Sequence, residues 1–270
     1  MSKLQFSLNA STIRPTPLLD KIQIAADAGY AAIELWHDEI EQYVSTGGTV
    51  ADVKKHVEAA GLSVPTTIYL ADWFDADDAI YPEILDTCKR RMQDAATVGA
   101  TYVIASPPAG QADYDRGADR YRELLEAGES IGVRPAMEFL GFVGQLNTIE
   151  DAIDVMQRCG HSAATTILDP FHVFRGGGSV ESIAKLTADQ IAISHFNDVP
   201  PDPPREQQHD PDRVMPGDGI FDLRRYLELL LATGYQGFLS LELFREDLWE
   251  RNPSEVAREG LEKMRQVVEG

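Results

Sequence analysis

Basic residues are scarce in this chain. Lys and Arg number 24 against 44 Asp and Glu, a formal net charge of −20, so the surface lacks the clustered positive charge that nucleic acid or an anionic membrane demands. Cysteine is scarcer still. Cys88 and Cys159 each stand alone in a stretch that reads as helix, with no CxxC partner, which points to reduced thiols in a cytoplasm rather than a disulfide framework. Met1 to Ala10 has no apolar core of the kind a signal peptide carries, and nowhere do about 18 apolar residues run uninterrupted, so neither a leader nor a membrane span is expected. Glycine is missing where a dinucleotide fold would need it: Asn9-Ala-Ser-Thr-Ile-Arg14 follows the first strand without one, and Gly176-Gly-Gly178 lacks both GxGxxG spacing and a following Lys-Ser/Thr.

What the chain does have is a repeated unit. Leu4 to Asn9 alternates as a strand, and a helix then runs to Gly29 before a second strand, Ala31 to Leu35. Helices around Val50 to Ala60, Tyr81 to Val98, Asp119 to Ile131, Ile149 to Cys159 and Asp222 to Thr233 each end at a glycine, and a strand follows each: Leu62 to Ile68, Thr101 to Ala105, Val133 to Phe139, Thr165 to Asp169 and Phe238 to Leu243. A shorter helix, Val180 to Leu186, leads into Ile191 to Phe196, and a last one covers Ser254 to Val268. Glycine just past a helix supplies the left-handed conformation that stops it. Eight such alternations with no break in composition predict an α/β chain folded over residues 1–270 as one (β/α)8 TIM barrel.

The chemistry gathers at strand ends. Apolar runs finish in Glu138, Asp169, His195 and Glu242, each in a different βα unit. Carboxylates with one imidazole suit a divalent cation, Mn²⁺ first, with Mg²⁺, Co²⁺ or Zn²⁺ also accommodated because no thiolate forces zinc. The bland reading of any one of them is a helix cap or a salt-bridge partner; four at successive strand ends favour a metal site. A metal so held polarises a sugar carbonyl and hydroxyl, and Glu138 and Glu242, facing each other, could take and return the neighbouring C–H proton. Return to the other face makes an epimer, return to the adjacent carbon an isomer, and loss of a β-hydroxyl a dehydratase. Glu34 and His37, near the end of the second strand, are candidate rim contacts to substrate or partners in a structural salt bridge. Trp36, Trp73 and Phe142 are candidates for an apolar wall, and Arg14 and Arg175 for contacts to an anionic group. The Pro-rich, charged stretch from Asn197 to Ile220 is long enough to read as a lid, with a floppy insertion as the alternative.

The stretches Ala25-Ala-Asp-Ala-Gly-Tyr-Ala-Ala-Ile-Glu34-Leu-Trp36, Met137-Glu138-Phe, Leu168-Asp169-Pro-Phe-His172, Ser194-His195-Phe-Asn-Asp198, Pro216-Gly-Asp-Gly219 and Leu241-Glu242-Leu resemble the xylose isomerase-like TIM-barrel superfamily. The branch in view contains ketose 3-epimerases, inosose isomerases and dehydratases, and hydroxypyruvate isomerases. The resemblance implies a metal held by Glu138, Asp169, His195 and Glu242, with the two glutamates as acid and base through a metal-stabilised enediolate. It also implies substrate contacts from His172 and Arg213, although the loop around Arg213 departs from the family's shorter version. A small sugar or polyol-derived keto compound is the substrate it implies, in a dimer or tetramer, with a dehydratase of an inosose or dehydroshikimate as the alternative. The superfamily's apurinic endonucleases fit less well. Histidines are lacking at the ends of strands 3 and 4, where Ile68-Tyr-Leu and Ala105-Ser-Pro-Pro stand, and Asp212-Arg213-Val214 replaces an Asp-x-His pair. A non-catalytic sugar-binding barrel would be expected to have lost one of the two glutamates.

Overall fold

Eight short apolar segments pair side by side, all parallel, until the last meets the first. In the computed structural model, which describes residues 4–270, they are β1 (Gln5–Asn9), β2 (Ala32–Trp36), β3 (Thr66–Leu70), β4 (Tyr102–Ala105), β5 (Arg134–Met137), β6 (Thr166–Leu168), β7 (Ile191–His195) and β8 (Phe238–Leu241). Helices follow the strands and cover the outside, as the glycine punctuation requires. Gly29 and Gly132, at φ 95° each, close the helices Leu18–Ala28 and Tyr114–Ile131. The helix His37–Ser45 is additional to the sequence reading and starts directly from β2, ahead of Val50–Ala59. Its apolar positions are too few for a clear period, and only His37 and Ile40 are buried. Among the described residues no helix is long and apolar enough to cross a membrane.

Strand period two decides what the barrel holds inside. Ile68, Ile104, Ala136, Ile167 and Ile193 pack together in an interior cluster, separate from the large apolar layer between strands and helices. Two residues beyond Ala136 stands Glu138; two beyond Ile167 stands Asp169; two beyond Ile193 stands His195. The same alternation therefore turns these polar groups inward at the carboxyl end of the barrel. Glu138, Asp169 and Glu242 each lie one residue past a strand, β5 and β6 being shorter than the sequence pattern suggests.

The stretch after β7 is a fixed strap. Asp198 accepts backbone N–H groups from Val199 (2.8 Å), Gly217, Gly219 and Phe221 (3.1 Å each), which draws both ends of the excursion to one carboxylate. Gly219 is required there, since a Cβ would sit 2.3 Å from Asp198 Oδ1. Arg175 fastens the middle, donating to the carbonyls of Gln208 and Glu206 at 2.8 Å each and of Gly141 at 3.4 Å, and is thereby occupied with the backbone rather than offered to an anion. Asp198→Ala leaves several N–H groups without their acceptor and is expected to cost about 1–3 kcal/mol. Urea denaturation would show it as a lower midpoint, and limited proteolysis as new cleavage between residues 199 and 221.

Candidate metal centre

Asp169, His195 and Glu242 each place a ligand atom within 4.8 Å of the others, and all three are buried. Each is aimed by its own local structure. Asp169 caps the short helix Pro170–Gly176: its Oδ1 accepts from the N–H groups of Phe171 (2.7 Å) and His172 (3.3 Å) and from Asn197 Nδ2 (3.1 Å), which leaves Oδ2 facing the centre. The cap and the ligand readings of this residue thus coexist on its two oxygens. His195 ends β7 with Nδ1 3.0 Å from Glu242 Oε2 and 3.7 Å from Asp169 Oδ2. Nδ1 nonetheless makes no well-directed hydrogen bond. A buried ring nitrogen converging on two carboxylate oxygens without bonding either suits a cation between them, so the donor set fits a divalent metal. Glu138 is buried as well but stands outside this group of three, on the wall of the same cavity, with Ser106 Oγ 3.4 Å from its Oε2.

Behind the centre lies Glu34. It belongs to the interior of β2 rather than to the rim, is fully buried, and sits with Oε2 3.4 Å from His195 Nε2 while accepting from Thr66 Oγ1 and, at 3.2 Å, from Asn9 Nδ2. A carboxylate on the far nitrogen of a histidine sets the tautomer that leaves Nδ1 for a metal. His37 is also buried, lies outside the cavity wall, and has no hydrogen-bond partner among the described residues on either ring nitrogen. Burial and the Arg91 charge push its pKa down to about 3, so it is neutral. Trp73 likewise belongs to the core, packed on Phe74 and Tyr121, while Arg14 pairs with Asp38 at 2.7 Å over the Trp36 ring.

The strap delivers Arg213. Its guanidinium is buried between the rings of Phe171 (4.5 Å) and Phe244 (5.2 Å), pairs with Asp169 Oδ2 at 3.1 Å and with Asp210, and reaches His172 Nε2 at 2.9 Å. His172 also receives the Gly141 N–H on Nδ1 at 3.2 Å. A neutral ring can accept from only one of these donors and a charged ring from neither, and burial together with the Arg213 charge, against the pull of Asp169, lowers its pKa to about 4. Sequence reasoning overlooked Asn9 and Asn197; Asn9 stands at a strand end like the others, and that rule alone could have marked it.

Electrostatics separates the acids. Burial pushes Glu138 up to about 8, with the nearby Glu242 and Asp169 charges adding to it against His195. Burial raises Glu242 too, opposed by His195 and Arg213. Burial acts against Asp169 as well, but Arg213, His172 and His195 hold it well below the usual carboxylate range. His195 is raised well above the usual imidazole range despite burial, because Glu242 and Glu34 favour its charge. Between the ordinary glutamate pKa and about 8, folded metal-free protein retains a proton on Glu138 that unfolded chain releases, so this group's contribution to stability falls as pH rises through that window. In EDTA, Glu138→Gln is expected to melt above wild type at pH 8.5, with the gap shrinking towards pH 5.5.

The cavity over these residues has a volume of ≈ 620 Å³. Trp36, Tyr69, Phe142 and Phe244 give it an aromatic wall; Glu138, Glu242, His172 and Arg213 reach it from the polar side. The sequence profile described as xylose isomerase-like TIM barrel matches residues 22–267. This chain belongs to that family. An inosose isomerase of Bacillus velezensis is 28% identical to this xylose isomerase-like barrel over 274 residues, covering 98% of this chain and 97% of the relative. A 3-dehydroshikimate dehydratase of Pseudomonas aeruginosa is also 28% identical, over 85% of this chain but 36% of the relative's length. Among solved structures, the IolI protein with a bound zinc atom superimposes with a TM-score of 0.92 at 25% identity, covering 98% of both chains.

Proposed function

We propose that this barrel is a divalent-metal-dependent isomerase or epimerase of a neutral keto sugar or cyclic keto polyol, of which an inosose is the first candidate. The observation that carries the proposal is the convergence of Asp169, His195 and Glu242 beside a cavity that Glu242 and Glu138 both line. The cation, Mn²⁺ or Zn²⁺ foremost, is held by those three with Glu138 as the further ligand or as the acid beside it, and supplies Lewis-acid polarisation of the substrate's carbonyl and neighbouring hydroxyl. The two glutamates exchange the C–H proton. One takes it from the carbon beside the carbonyl, and the other returns a proton to the opposite face or to the adjacent carbon, so that atoms balance without any co-reactant. His172, neutral, and Arg213 meet the substrate's oxygens, and the aromatic wall covers its carbon face. Glu34 acts from behind rather than on substrate, and His37 belongs to the core.

Charge separates this reading from the dehydratase of an acidic compound. Among the described residues no lysine lines the cavity, and its one arginine is already matched by Asp169, Asp210 and, at 3.6 Å, Glu242. A carboxylate or phosphate would therefore meet no unmatched side-chain cation, only the charge of the metal itself, which its carboxylate ligands offset. The test incubates the Mn²⁺-loaded protein with an inosose and, separately, with 3-dehydroshikimate, and follows products by NMR. An isomeric inosose from the first and little change in the second is expected; faster loss of water from 3-dehydroshikimate would overturn the assignment.

A further inference from the structure

Asn9, at the carboxyl end of β1, is fully buried and takes no part in the cavity wall. All of its hydrogen-bonding capacity is nonetheless committed to the polar cluster. Its Oδ1 accepts from the Ser11 N–H at 3.0 Å and from Trp36 Nε1 at 2.9 Å. Both of those groups can only donate, so the orientation of the amide is fixed: Nδ2 must face the other way. There its two N–H bonds are taken by two different carboxylates, Glu242 Oε1 at 2.9 Å and Glu34 Oε1 at 3.2 Å. Glu242 is left with Oε2, the oxygen 3.0 Å from His195 Nδ1. Glu34 is left with Oε2, the oxygen 3.4 Å from His195 Nε2.

We infer that Asn9 is the positioning residue of this centre: one amide, locked by Ser11 and Trp36, sets which oxygen of Glu242 and which oxygen of Glu34 address the two nitrogens of His195. The inference rests on the metal reading above and adds a residue that acts on the ligands from behind. Among the described residues Glu138 receives no comparable amide; the polar side chain beside it is Ser106, at 3.4 Å. Asn9 thus makes the two glutamates unequal, one clamped and one free to move with the substrate. Register explains why β1 supplies the clamp, for Asn9 lies opposite Glu34 in the β1–β2 pair, and β1 is the strand that closes the barrel against β8, which ends beside Glu242.

Two variants test this. Asn9→Asp keeps the acceptor for Ser11 and Trp36 but presents an oxygen to Glu34 and Glu242; Asn9→Ser is smaller and can donate to only one of them. Full-length wild type and both variants are titrated with Co²⁺, reading affinity by calorimetry and coordination from the visible absorption band, beside the metal-free melting temperature. Co²⁺ affinity is expected to fall roughly 10–100-fold in both variants, as for loss of an outer-shell partner. The Co²⁺ band should also shift, and with substrate the loss should fall on kcat rather than KM. A merely structural role would lower the melting temperature and leave affinity and band at their wild-type values, which would overturn the inference. Wild type that takes up no Co²⁺ would instead remove the metal reading, and this role with it.

Discussion

His195→Gln is expected to abolish both metal binding and turnover. The imidazole is the one nitrogen donor among three converging ligands, and Glu34 behind it holds the ring in the orientation that presents Nδ1. Losing a ligand should therefore cost metal affinity well beyond the roughly 10–100-fold typical of an outer-shell partner. The substitution also leaves Glu34, Asp169 and Glu242 buried around a neutral amide, so their repulsion, at present relieved by a His195 held in its charged form, rises. Calorimetric titration with Mn²⁺ and an activity assay before and after EDTA measure both effects. Wild type should lose turnover in EDTA and regain it on adding metal; His195→Gln should show none in either state. Unchanged metal affinity in the variant would contradict the assignment.

Glu138→Gln separates chemistry from metal binding. Glu138 lies outside the group of three and keeps a proton at neutral pH in the metal-free site, so the isosteric amide removes its acid and base function while changing little of its shape. Turnover is expected to fall about 10²–10⁴-fold, the span a positioned acid or base contributes, with metal affinity within roughly tenfold of wild type, short of the larger loss expected for a ligand. The double readout matters because Glu242 faces the same cavity but belongs to the ligand set. Glu242→Gln should lose metal and turnover together. If Glu138→Gln also lost metal outright, Glu138 would have to be counted with the ligands and the proton transfer reassigned.

The barrel was legible because its signals are local. Helix-stopping glycines and short apolar strands repeat along the chain, and period two then turns Glu138, Asp169 and His195 inward without any knowledge of tertiary contacts. What escaped was set by partners distant in sequence. Glu34 read equally as a rim contact or a structural salt-bridge partner, and which of the two holds depended on the register of β2, which buries it against His195, 161 residues away. His37 and Trp73 looked like site residues by position and are core groups by packing. The strap's fixed path depends on one carboxylate, Asp198, collecting N–H groups from as far as Phe221, and on Arg175 binding three carbonyls. Asn9 carried no sequence signal beyond its place at a strand end, since its four hydrogen bonds reach β2, β8 and the turn at Ser11.

The most direct test of the account is solvent exchange at carbon. Mn²⁺-loaded protein is incubated in D₂O with an inosose, and deuterium uptake into substrate and product is followed by mass spectrometry, with Glu138→Gln alongside. Carbon-bound deuterium in an isomeric product, dependent on metal and lost in the variant, is the expected result. An isomeric product free of carbon-bound deuterium, in protein with stoichiometric metal, would contradict the shuttling of a C–H proton through Glu138 and Glu242, the glutamates that line the cavity.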